Sequence, residues 1–86
     1  MTRNEFLKSK GFRYDKENKQ WILGYYELTS YVYVLDFNNK NNTRLHITSF
    51  CIYLDNDNSE DVNSSLSHSI KFLKDIYEQA SKLKEE

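Results

Sequence analysis

Apolar and polar positions alternate through the middle of this chain, and apolar ones recur every three or four residues towards its end. The alternation is clearest in Tyr31-Val32-Tyr33-Val34-Leu35-Asp36-Phe37, which predicts a β-strand. Phe12-Arg13-Tyr14 alternates in the same way, Asp15 to Lys19 reads as a polar turn, and Gln20 to Leu28 is rich in aromatic and branched residues. Gly24 inside that run marks a bulge or a close approach of backbone. Asn38 to Asn42 predicts a loop, because asparagine tolerates left-handed backbone angles. Arg44 to Leu54 predicts the last strand. Its apolar phase passes from Leu45 and Ile47 to Phe50, Ile52 and Leu54, so a bulge or break is expected near Thr48-Ser49.

Two helices frame these strands. Thr2-Arg3-Asn4-Glu5 has the form of a capping box and predicts a short helix to about Lys10, with Phe6 and Leu7 as its anchors. Gly11 stands where a left-handed C-terminal cap is wanted, and Lys8 and Lys10 suit the negative end of the helix dipole. Val62, Leu66, Ile70, Leu73, Tyr77 and Ala80 fall on one face of a long helix, widened by Phe72, Ile76 and Leu83. The expected fold is therefore a single α+β domain over residues 1–86. It has an antiparallel meander of three or four strands, with both helices on one face and the other face partly open.

Composition narrows what such a domain does. Eighty-six residues give one core, and thirteen aromatics, 15% of the chain, compensate for a hydrophobic content of only 38%. Charged residues make up 29% and nearly cancel to a net −1, which argues against a general nucleic-acid coat or a membrane-surface protein. No apolar run approaches a membrane span of ~18 residues, and no basic-then-apolar leader is visible, so the expected location is the cytoplasm. Cys51 is the one cysteine, which rules out an internal disulfide and a cysteine-based zinc site within one chain. Its apolar neighbours predict a buried, inert thiol. No metal or cofactor is expected.

Candidate chemistry is sparse. Asp55-Asn56-Asp57-Asn58-Ser59-Glu60-Asp61 begins like a calcium loop, but Glu60 stands in place of the sharp-turn glycine and Leu66 in place of the bidentate glutamate. The plainer reading is a helix lead-in whose acids complement the dipole; the functional reading is an acidic contact surface of Asp55, Asp57, Glu60 and Asp61. His46 and His68 have no metal-pair spacing. On one regular strand the odd offset from His46 to Cys51 turns the two to opposite faces, unless a bulge near Thr48-Ser49 reunites them. With no phosphate loop and no nucleophile elbow, a non-catalytic protein is expected. Tyrosines are the richer signal: if Val32 and Val34 face the helices, then Tyr31 and Tyr33, and Tyr25 beside them, line the open face as contact residues.

Three classes of partner follow. The first is another protein. The second is nucleic acid, since the α-β-β-β-α order resembles the double-stranded RNA-binding domain in topology. That family has lysines at the start of its second helix, where this chain has Ser59-Glu60-Asp61-Val62-Asn63. Residues 1–20 are more basic, with Arg13 and Lys16 as candidate phosphate contacts. The third is a second copy of the chain, giving a homodimer through a strand edge or the open face. The opening Glu5-Phe6-Leu7-Lys8-Ser9-Lys10-Gly11-Phe12-Arg13-Tyr14-Asp15, with an Asn- and Lys-rich composition, resembles the starts of small accessory proteins of Gram-positive phages and mobile elements. That resemblance implies stoichiometric, anti-CRISPR-like inhibition of a host nuclease or defence complex. Its contacts would be the four acids above and Tyr31 and Tyr33.

Overall fold

The computed structural model describes residues 1–47, 50–54 and 64–85. The chain runs through α1 (Arg3–Ser9), β1 (Arg13–Asp15), β2 (Gln20–Leu23), β3 (Tyr31–Leu35), a 3-10 turn (Lys40–Asn42), β4 (Arg44–Ile47), β5 (Phe50–Tyr53) and α2 (Ser64–Ser81). Each strand pairs antiparallel with the next in the order β1-β2-β3-β4-β5, so the sheet is a meander.

Local signals close α1 at both ends. The Glu5 N–H donates to Thr2 Oγ1 at 3.2 Å while the Thr2 N–H donates to Glu5 Oε1 at 3.0 Å, completing the capping box. At the other end the N–H of Gly11 reaches the Lys8 carbonyl and that of Phe12 reaches the Leu7 carbonyl, both at 3.0 Å. This is the paired bonding of a Schellman cap. It needs the positive φ of +93° that Gly11 supplies, and it seats Phe12 beside Leu7 in the core. Thr2→Ala is expected to lower stability by about 1 kcal/mol, read from urea denaturation at unchanged slope.

Among the described residues five strands form where three or four were expected, because Arg44–Ile47 and Phe50–Tyr53 are separate strands. His46 pairs with Cys51 and Ile47 with Phe50. The change of apolar phase is thus that of an antiparallel reversal: odd positions of β4 share a face with even positions of β5. The run from Gln20 also stops early, at Leu23, and Gly24 turns the chain away at φ +103°.

The sheet divides its side chains sharply. Trp21, Leu35 and Leu45 face the helices and form the main core with Leu7, Phe12, Ile70, Leu73, Ile76 and Ala80. Tyr31 and Tyr33 fall on this same side, half-buried against that core, and Tyr33 meets Phe72 of α2 edge-on with ring centroids 5.2 Å apart. The opposite face carries a smaller buried cluster of Ile22, Val32 and Val34. Both helices cover one face. Among the described residues no helix is long and apolar enough to cross a membrane.

Candidate functional site on the open sheet face

The face away from the helices is built from alternate positions. Register places Arg13 beside Ile22, Val34 beside Arg44, Val32 beside His46, and His46 beside Cys51, with Tyr53 beyond Arg44. The loop between β2 and β3 brings two further rings to it. Arg13 links loop to sheet: its Nη1 donates to the Gly24 carbonyl at 2.7 Å, and its guanidinium lies 4.3 Å from the centre of the Tyr25 ring. Tyr26 packs edge-on to His46, with centroids 5.1 Å apart at 76°. Both tyrosines remain 54% exposed, so neither is anchored as core.

Thr29 fixes the loop from inside. Its hydroxyl accepts from the Tyr25 N–H at 3.0 Å, and its one proton is shared between the carbonyls of Tyr25 and Tyr31, each 3.0 Å away. The N–H groups of Leu28 and Thr29 close back on the Tyr25 carbonyl. Two exposed rings are therefore held in place before any partner arrives, which limits the entropy lost on binding.

His46 sits in the middle of a polar line. Arg44 Nε donates to His46 Nε2 at 2.6 Å, so the hydrogen-bond network assigns the ring proton to Nδ1, which donates to Cys51 Sγ at 2.8 Å. A base that takes a thiol proton at Nδ1 must carry its other proton on Nε2, and the Arg44 N–H opposes that arrangement. The contact between His46 and Cys51 is thus a cross-strand pair, half-buried and polar. Burial, and secondarily the charge of Arg44, holds the His46 pKa below its ordinary value of 6.5.

The sign of the resulting pH dependence is fixed. Between the lowered folded value and 6.5 the unfolded chain binds more protons, so stability rises with pH across that window and is lost as pH falls through it. His46→Gln is expected to flatten this slope in urea-midpoint measurements. Glu5, held low chiefly by the backbone bond at Thr2, and Asp15, held low chiefly by the Asn18 side chain, act only further down. Their contributions are present above ordinary values of 4.5 and 3.8 and are lost as pH falls through the folded pKa.

Among the described residues, those singled out from sequence do not assemble into one site. Tyr31 and Tyr33, expected on the open face if the valines pointed inward, face the helices instead, because they share parity with Leu35 and pair with Ile47 and Leu45 in the main core. Tyr25 is on the open face as that reading placed it, and Tyr26 joins it. Asp55, Asp57, Glu60 and Asp61 lie outside the described residues. His46 and Cys51, expected on opposite faces of one strand, share a face because they belong to two strands. Arg13 and Lys16 separate as well: Arg13 lies on the open face, while Lys16 lines a cleft with Tyr14 and Trp21, which point to the helix side. Among the described residues no group of three or more His, Cys, Asp or Glu side chains could hold a metal ion.

The fold is a small α+β meander with helices on one face and, on the other, two prearranged tyrosines beside Arg13 and His46. Comparison with protein families, curated proteins and solved structures finds no match to this chain.

Proposed function

We propose that this chain is a non-catalytic protein-binding module that docks through its open sheet face. The observation that carries the reading is the loop from Gly24 to Thr29, which holds Tyr25 and Tyr26 rigid and half exposed above a sheet face bearing Arg13, Arg44 and His46. Tyrosine and arginine held in this way are the residues that dominate protein interfaces. Acids accompany these cations: Asp15 is engaged by the Glu17 N–H and the Asn18 amide, Asp36 accepts from the Gln20 amide, and exposed Glu27 stands in the loop itself. The two tyrosines, and not net charge, therefore carry the reading. In its finer form the proposal is a cytoplasmic inhibitor of the anti-CRISPR kind, blocking the surface of a host nuclease or defence complex. The resemblance of the first residues to phage accessory proteins supports that form.

Binding to a purified candidate, identified by capture from nuclease-treated host extract, tests this. The wild-type chain is expected to form a stoichiometric complex, and Tyr25→Ala with Tyr26→Ala to weaken it by about 30- to 1000-fold. Because both rings are exposed, the double variant should melt close to the wild type. If Asp55, Asp57, Glu60 and Asp61 form a second contact, changing them to their amides also abolishes binding; unchanged affinity removes them from the interface. Recovery of nuclease-sensitive complexes alone would place nucleic acid first instead.

A further inference from the structure

Most of the basic residues in the first nineteen positions meet at one place. Arg3, Lys8, Lys16 and Lys19 line a cleft of about 410 Å³ between α1, the β1–β2 hairpin and the C-terminal end of the chain. Glu85 is the one carboxylate on that lining among the described residues. Four cations facing one acid across a confined space repel one another, and a bound anion relieves that repulsion. Lys16 and Lys19 are exposed and enter no ion pair among the described residues.

The walls are aromatic. Tyr14 is 46% exposed and leans on Trp21 with centroids 5.2 Å apart, offering a ring face to the cleft's contents. Phe37 lines the cleft too, with the Arg3 guanidinium 4.2 Å from its ring centre and Tyr77 stacked near-parallel to it. That stack fixes Arg3, which also pairs with Glu85 at 3.1 Å. Arg3 Nε is buried without a hydrogen-bond partner.

Lys19 adds a separate sign. It sits at φ +56°, the left-handed region where a hairpin turn ordinarily places glycine or asparagine. A lysine there tolerates backbone strain and brings an ammonium to the cleft.

We propose that this cleft binds a nucleoside monophosphate, a phosphate monoester joined through a sugar to a planar base, either free or at the end of a strand. The volume lies within the range of small-molecule sites, a phosphate monoester carries about −1.5 to −2 charge at neutral pH, and exposed Tyr14 provides a stacking surface. The inference goes beyond the protein-docking face: the cleft lies on the helix side of β1 and β2, opposite Arg13, and uses neither Tyr25 nor Tyr26.

Calorimetry at low ionic strength, with quenching of Trp21 as a second readout, tests it with AMP, adenosine, and single strands carrying a 5′-phosphate or a 5′-hydroxyl. AMP is expected to bind at least about tenfold more tightly than adenosine, and Lys16→Gln with Lys19→Gln to remove about tenfold or more of that affinity. Glu85→Gln should tighten binding severalfold. Lys19→Gly should weaken it while the melting temperature holds or rises, which separates ligand binding from folding. Tighter binding of the 5′-phosphorylated strand than of AMP identifies a strand end as the source, and the reverse order identifies a free nucleotide. Equal binding of AMP and adenosine, wild-type affinity in the double lysine variant, or no binding of any phosphorylated probe overturns the proposal.

Discussion

Leu45→Ala is expected to cost about 2–5 kcal/mol of folding stability. Leu45 is fully buried on β4, pairs across to Tyr33 and Ile52, and packs in the cluster where α2 meets the sheet. Truncation removes its transfer energy and leaves a cavity that the sheet cannot close without shifting two neighbouring strands. A domain of this size has on the order of 5–15 kcal/mol in total, so the melting temperature should fall by roughly 10–25 °C. Urea denaturation with a lowered midpoint and unchanged slope confirms the mechanism. A loss below about 1 kcal/mol would mean that Leu45 is not the keystone of the helix-covered face.

Gly24→Ala is expected to cost about 2–3 kcal/mol and to abolish partner binding as well. At φ +103° an L side chain is strained, and a Cβ would stand 2.7 Å from the Tyr31 carbonyl oxygen and 3.0 Å from Thr29 Oγ1. Neither neighbour is free to yield: the first is strand backbone, and the second is the hydroxyl that organises the loop. The Gly24 carbonyl is also the acceptor that ties Arg13 to the loop. Displacing Gly24 therefore releases Tyr25 and Tyr26 together, so stability and binding should fall in the same variant. Full binding with lowered stability would separate the loop's geometry from its proposed use.

Much of this architecture was legible because each signal had a local cause. The Thr2–Glu5 box, Gly11 and the three- and four-residue spacing of Ile70, Leu73, Tyr77 and Ala80 all form the structures their patterns predict. The reversal after Ile47 was visible only as a change of apolar phase, which a bulge produces equally well. The partnership of His46 and Cys51 follows from the reversal and could not be read without it. The orientation of Tyr31 and Tyr33 was open to a symmetric pattern, since alternation defines two faces without saying which is inside. Leu35 and Phe37, in phase with the tyrosines, were the available sign. The cleft was foreshadowed by the basic balance of residues 1–20, but convergence of Arg3, Lys16 and Lys19 depends on how α1 sits against the β1–β2 hairpin. No pattern in sequence encodes that placement.

A protein partner on the open sheet face should be trapped there by site-specific photo-crosslinking in the native host. A benzophenone amino acid replaces Tyr26 in one variant and Glu78, exposed on the outer side of α2, in another. One discrete protein adduct is expected from position 26, resistant to nuclease and lost when Tyr25 is also changed to alanine, with none from position 78. An adduct from position 78 and none from position 26 would contradict this and move the interface to the helices.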